Sequence, residues 1–334
     1  MSKIVSITKL PKSEVEIKLE IESSEIEAKR PSVLRSLSQD IKMDGFRPGK
    51  VPEDVIVAKL GEATILEEAL EEVLREFYPK VIEEKKIFTL GRPKIAVTSL
   101  EKGKTAQVII KTDVYPEIEL ADYKKITPKI AKEKEETEVT EKEVTDAIDE
   151  LKKYREKTEG VEKAELTEEF VKKLGDFKDV ADFTAKLKEN LGKEKELKAK
   201  EDKRVKILDA IIKDSKLEIP EILVEEELDK MTNEFSSTLS RQGFTFEQYK
   251  KESKKTEEEV RNDWREKAEK RVRGEILLIE IAKKENIKAD HDEIHKEIET
   301  LKKHYPEADE ARMHAFIEDL LTKEAVFKFL EKGE

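Results

Sequence analysis

The chain has 334 residues, 44% of them charged, with a net charge of −12 and no cysteine, which suits about two domains. The missing cysteines exclude a disulfide framework, a thiolate metal site and a cysteine nucleophile, and the acid excess argues against a general coat on DNA or RNA. No apolar run reaches the ~18–20 residues of a membrane span, and Met1 to Leu10 lacks the basic-then-apolar pattern of a secretory signal, so a cytoplasmic chain with no membrane partner is expected.

The first predicted elements are strands. Val15, Ile17, Leu19 and Ile21 alternate with Glu14, Glu16, Lys18 and Glu20, the period of a half-buried strand. Ile4 to Thr8 precedes it across the turn Leu10-Pro11-Lys12-Ser13, so a hairpin is predicted. Ser24 followed by Glu27 reads as a capping box for a helix ending near Asp40. Asp44 to Pro52 holds two Gly and two Pro and predicts a constrained loop. Pro52 then suits the start of a short helix and Gly61 its end. From Ile65 to Ile82 apolar pairs recur near every fourth residue, one broad helix face. Strands return at Lys94–Leu100 and Thr105–Val114.

Ala131 to Lys142 is almost all charged and predicts an exposed connector. Beyond it the pattern is helical to the end. One stripe is Val144, Ile148, Leu151 and Tyr154. Another is Val205, Leu208, Ile211 and Ile212. Leu228, Met231, Phe235 and Leu239 follow, then Val260, Trp264, Val272, Ile276 and Ile279. The last stripe is Phe316, Leu320, Val326, Phe327 and Leu330. Each stripe is narrow, and the other faces are filled with Lys and Glu. The expected fold class is an α+β N-terminal domain (hairpins plus long helices) followed by an elongated all-α C-terminal domain. Only four Gln and four Asn occur beside abundant Lys and Glu, a bias that fits a thermophile.

The stretch Gly45-Phe46-Arg47-Pro48-Gly49-Lys50-Val51-Pro52 resembles the G-F-R-x-G-x-x-P loop of the trigger factor family, bacterial ribosome-associated chaperones. The order hairpin, helix, loop, short helix, long helix, hairpin is also similar. Glu165 to Gly175 looks like the start of the family's C-terminal domain, and Glu218-Ile219-Pro220 and Asn286 to Asp290 look like its later helix junctions. The resemblance covers nearly the whole chain. It implies a ribosome-binding domain over 1–115, a linker over 116–160 and a helical chaperone domain over 161–334. Members commonly carry an FKBP-like prolyl isomerase domain between linker and C-terminal domain. Here only Glu159 to Glu165 lies in that place, so no isomerase domain and no enzymatic activity are expected.

The resemblance implies ribosome binding by Gly45, Phe46, Arg47, Gly49, Lys50 and Pro52, against protein and rRNA at the exit tunnel. Pro48 stands where the family often has Lys, which removes one basic contact. Residues 29–59 form a net +3 island in the anionic chain, able to meet acidic side chains and phosphate. Phe46 and Arg47 are the side-chain types that dominate interface hot spots. Nascent or unfolded polypeptides are the expected clients, and Met231, Phe235, Leu239, Phe244 and Phe246 are the candidate contacts, because holding needs dispersed apolar surface. Any one of these residues is by itself more often ordinary core. A homodimer away from the ribosome is a further implication. No cofactor is expected: there is no G-x-x-x-x-G-K-[ST] loop, so holding is expected to be ATP-independent. His291 and His295 lie four apart without the H-E-x-x-H pattern and are read as solvated. Two alternatives stay open, a ribosome-independent holdase and a prolyl isomerase-type folding factor.

Overall fold

The structure is a computed structural model of the chain and describes residues 2–41, 46–47, 49–133, 137–159 and 165–333. β1 (Lys3–Leu10) and β2 (Glu14–Ile21) form the first hairpin. Helices α1 (Ser23–Asp40), α2 (Glu53–Leu60) and α3 (Glu62–Lys85) follow. Then come β3 (Thr89–Ser99), β4 (Ala106–Val114) and the short β5 (Ile118–Glu119). Helices α4 (Tyr123–Ala131), α5 (Glu141–Glu159), α6 (Glu168–Leu174) and α7 (Val180–Asp214) lead to β6 (Lys216–Leu217). The chain ends with α8 (Glu221–Arg241), α9 (Phe246–Ser253), α10 (Glu257–Glu285), α11 (His291–His304) and α12 (Glu310–Lys332). The α+β start and the long helices after it match the expected class. Among the described residues the two-residue strand β6 is the exception to an all-α second half. The chain forms two compact units, each assembled from two stretches: 1–119 with 216–273, and 120–215 with 274–334.

In the first unit the strands run β1-β2-β4-β3, all antiparallel. Ile17 pairs with Ile110 and Leu19 with Val108, so the alternating apolar residues of both strands share one face. That face packs against Ile65, Leu70 and Leu74 of α3 and Ile26, Val33 and Leu34 of α1. The broad stripe of α3 is thus the central support of the sheet, each such side chain contributing roughly 1.5–3 kcal/mol.

Two local expectations change. The capping box at Ser24 is absent: α1 starts after Glu22, which offers no side-chain cap. Instead Ser2 donates through its N–H and Oγ to Glu25, at 2.9 and 2.7 Å, and Glu22 N–H donates to Ser2 Oγ. A neighbouring segment thus fastens the start of the helix. The β1–β2 turn holds Lys12 and Ser13 at φ 60° and 54°. Lys12 N–H donates to Glu218 Oε2 at 2.8 Å, Ser13 Oγ donates to Glu218 O at 2.7 Å, and Lys12 Nζ reaches Glu221 at 3.0 Å.

The second unit is helical. Phe170, Val171 and Phe183 pack with Ile148, Leu151 and Phe177 where α5, α6 and α7 meet. Ile294, Ile298 and Ile317 join α11 to α12. Four stripe residues turn out exposed: Tyr154, Val205, Phe316 and Leu320 are 69%, 53%, 62% and 51% accessible. On α7 the expected Ile211 is buried together with Ile207, and on α12 the expected Val326 and Leu330 are buried together with Met313 and Ile317. Helix α4, absent from the sequence reading, is anchored by buried Tyr123, whose Oη donates to Glu285 at 2.7 Å. Gly274 permits close helix approach, since a Cβ there would come within 2.6 Å of Leu208 Cδ2.

Arg204 ties α7 to α12. Its guanidinium donates to both oxygens of Glu324 at 2.7 and 2.6 Å and to Glu331 at 2.5 Å, and lies over the Phe327 ring at 4.8 Å. The hydrogen bonds from Arg204 hold the Glu324 carboxyl down at about 2, against an ordinary 4.5. A carboxylate lowered on folding contributes stability above its unfolded pKa and loses it as pH falls through the folded one. The window therefore runs from pH 4.5 down to about 2. Arg204→Gln is expected to raise the Glu324 midpoint toward its ordinary value in a carboxyl NMR titration. The fall in urea midpoint across that window should shrink with it.

Candidate functional site

The expected docking loop is held by the last turns of α1. Ser38 is buried; its carbonyl accepts from Gly49 N–H at 2.7 Å and its Oγ from Val51 N–H at 3.1 Å. Gly49 sits at φ 77°, a conformation side-chain-bearing residues rarely adopt. Lys50 N–H closes a turn onto Arg47 O at 3.0 Å. Val51 enters the core, and Pro52 O accepts from Val55 and Ile56 at the start of α2. The C-terminal end of the loop is thus tied down; Phe46 is 40% accessible, and Arg47, Lys50 and Pro52 are exposed. Gly45 and Pro48 lie outside the described residues.

The basic island is less cationic than its local count. Arg30 grips Glu62 with two hydrogen bonds, at 2.6 and 3.0 Å, and Glu53 with a third at 2.9 Å. Lys29 pairs with Glu76. Glu62 and Glu76 lie beyond residue 59, so a window count misses them. The Arg30 hydrogen bonds, with a second from Lys102, hold the Glu62 carboxyl at about 2. Arg35, Arg47 and Lys50 remain exposed to a partner.

The candidate client residues lie in the segment α8–α9–α10. Met231 is buried, 7% accessible, and serves packing. Phe235 is the hub of an aromatic cluster. Its ring meets Tyr249, Trp264 and Phe246 edge-on at 4.8, 5.3 and 6.1 Å. Such contacts add about 0.5–1.5 kcal/mol each beyond area burial. Leu239 and Phe246 are half-buried, and Phe244 in the turn is 48% accessible. Tyr249 and Lys250 escaped the sequence reading; Lys250 Nζ lies 5.3 Å from the Phe246 ring centre. The signal was the spacing of Phe246 and Tyr249 on one face of α9.

The carboxylates here are not mere solvation. Arg261 reaches Glu225 and Asp229, and Arg265 reaches Glu221 and Glu225. Arg271 donates to the buried Glu227 at 3.0 Å. These guanidiniums on α10 form a ladder against α8. Among the described residues there is no group of three or more His, Cys, Asp or Glu placed to hold a metal. His291 and His295 are exposed and meet edge-on, ring centres 4.4 Å apart. What loop and helices offer chemically is aromatic, aliphatic and cationic contact.

Residues 3–151 match the family described as bacterial trigger factor protein (TF), and residues 179–332 match that described as bacterial trigger factor protein (TF) C-terminus. The trigger factor of Caldicellulosiruptor bescii is 28% identical over 383 aligned residues, covering 88% of this chain and 86% of the relative. That of Halothermothrix orenii is 25% identical, covering 87% and 88%. The first alignment is longer than the 334 residues of this chain, so the relative carries intervening residues that this chain lacks. A solved structure of the trigger factor chaperone, described for promiscuous substrate recognition in folding and assembly activities, shares the fold. Its TM-score is 0.55 at 19% identity, over 99% of this chain and 100% of that one.

The aromatic hub should be structural and the turn should not. Phe235→Ala is expected to cost about 2–4 kcal/mol in urea unfolding, while Phe244→Ala stays within about 0.5 kcal/mol. Equal effects of the two variants would contradict this division.

Proposed function

The chain belongs to the trigger factor family, and from that premise we propose that it docks at the ribosomal exit tunnel and holds nascent or unfolded polypeptides without ATP. The observation that carries the docking reading is the pinned loop. Ser38 fixes Gly49 and Val51, so Phe46 and Arg47 are presented at little ordering cost. An aromatic and a guanidinium together suit a hot spot on ribosomal protein, with Arg35 and Lys50 near enough in sequence to add contacts to rRNA phosphate. The proposed division of labour, 1–115 for docking, 116–160 as linker and 161–334 for clients, is one along the chain, since the client residues at 239–246 fall in the same compact unit as the docking loop. Leu239, Phe244 and Phe246 are the client contacts best supported by exposure, with Phe235 and Met231 behind them as packing.

The same reading places the protein in the cytoplasm; no helix among the described residues is long and apolar enough to cross a membrane. A homodimer off the ribosome belongs to it as well. We infer that the chain is not a prolyl isomerase. The matched family segments leave only residues 152–178 between them, too short for a domain of the usual 50 residues or more.

Phe46→Ala combined with Arg47→Ala is expected to lower co-sedimentation with empty ribosomes about 30-fold or more, and rising salt should weaken the native chain's binding. Unchanged pelleting of a folded double variant would sink the docking role. In refolding limited by proline isomerisation, the chain should leave the slow phase unaltered; acceleration would reverse the inference on activity.

A further inference from the structure

We propose that the outer edge of β3 takes up an extended segment of unfolded polypeptide as an added strand, a second client site distinct from the α8–α9 residues; this rests on the chaperone reading above. Ile95 lies opposite Ile110 and Val97 opposite Val108, so all four side chains share the face that packs on the helices. Ile110 and Val108 are 0% and 1% accessible, yet Ile95 and Val97 are each 46% accessible. The apolar face of the sheet therefore continues past its helical cover. Among the described strands β3 pairs with β4 alone, which leaves a row of backbone groups along its other side unclaimed by the sheet.

Edges of this kind are usually blunted by charge, proline or a bulge. Here the irregularities leave a regular run in the middle of the strand. The register breaks between Leu90 and Lys94, around Pro93, and again only between Val97 and Ser99. Lys94 to Val97 remains between the two breaks, a regular run of about 13 Å at the usual strand rise. Backbone pairing reads no side-chain sequence, and alternate residues of the added strand would cover Ile95 and Val97. That combination suits many different clients.

Charge decides the occupant. β3 carries Arg92 and Lys94 and no carboxylate, in a chain of net −12. Lys94 lies in the electrostatic field of Asp113 on β4; among the described residues Arg92 forms no ion pair. Two copies meeting edge to edge would bring their cations together. An extended client segment with alternating apolar residues and a carboxylate avoids that repulsion and gains from it.

The test uses the full chain and a 12-residue synthetic peptide alternating valine and threonine, with two glutamates. Hydrogen exchange at the outward-facing backbone amides of Lys94 to Val97 should slow about tenfold at saturating peptide. Ile95→Ser with Val97→Ser should weaken peptide binding about tenfold, both positions being half-exposed and so tolerant of the change. Peptide binding with protection confined to α8 and α9 would overturn the β3 site and leave the chaperone reading standing. Protection of β3 that rises with protein concentration alone would overturn it too, giving the edge to a second copy. Failure to hold an unfolded luciferase client, together with no peptide binding, would overturn the chaperone reading itself.

Discussion

The helical parts depend on guanidinium–carboxylate pairing between helices. With 44% of residues charged, most helices can spare only a narrow apolar stripe. Such a stripe excludes water but fixes register poorly, because one leucine slides past another at little cost. The paired groups are more particular. Arg204 clamps Glu324 and Glu331, and Arg261, Arg265 and Arg271 engage five carboxylates of α8. A planar, multi-donor head accepts few geometries. Isolated surface pairs are worth little, but several sharing partners along one face set which turn of a helix meets which.

The N-terminal sheet solves the opposite problem. Its apolar face is wide and well covered over β2 and β4, so backbone and side chains there are over-determined. That rigidity can be spent on the loop after α1. A buried serine, a glycine in the left-handed region and a valine in the core hold it down. What projects is then a polar and aromatic surface on a stiff base, the arrangement that favours binding without a large entropic loss.

The hairpins, the α3 stripe and the loop were legible because each is written in local periodicity or in Gly and Pro. Helix α4 was not, since its anchor, the Tyr123–Glu285 hydrogen bond, joins residues 162 positions apart. In the α7 and α12 stripes Ile211, Val326 and Leu330 are buried as expected, while Val205, Phe316 and Leu320 are not. Apolar residues there lie on two neighbouring faces, and sequence alone does not say which one a partner helix covers. The charge island misled for a related reason: Glu62 and Glu76 cancel Arg30 and Lys29 from outside any short window. At the candidate client site, Phe235 and Phe246 were recognisable as aromatic. Their sorting into hub and rim needed Tyr249 and Trp264 in space.

The turn between β1 and β2 carries a consequence for the protein's own birth. Ser13 and its partner Glu218 are 205 positions apart. At about 5–20 residues per second of synthesis, roughly 10–40 seconds pass between the emergence of one and of the other. Through that interval the first hairpin has left the translation machinery while the stretch it will clasp does not yet exist. A protein of this kind must itself endure as an incomplete chain, with its two left-handed turn residues waiting on a glutamate still to be made.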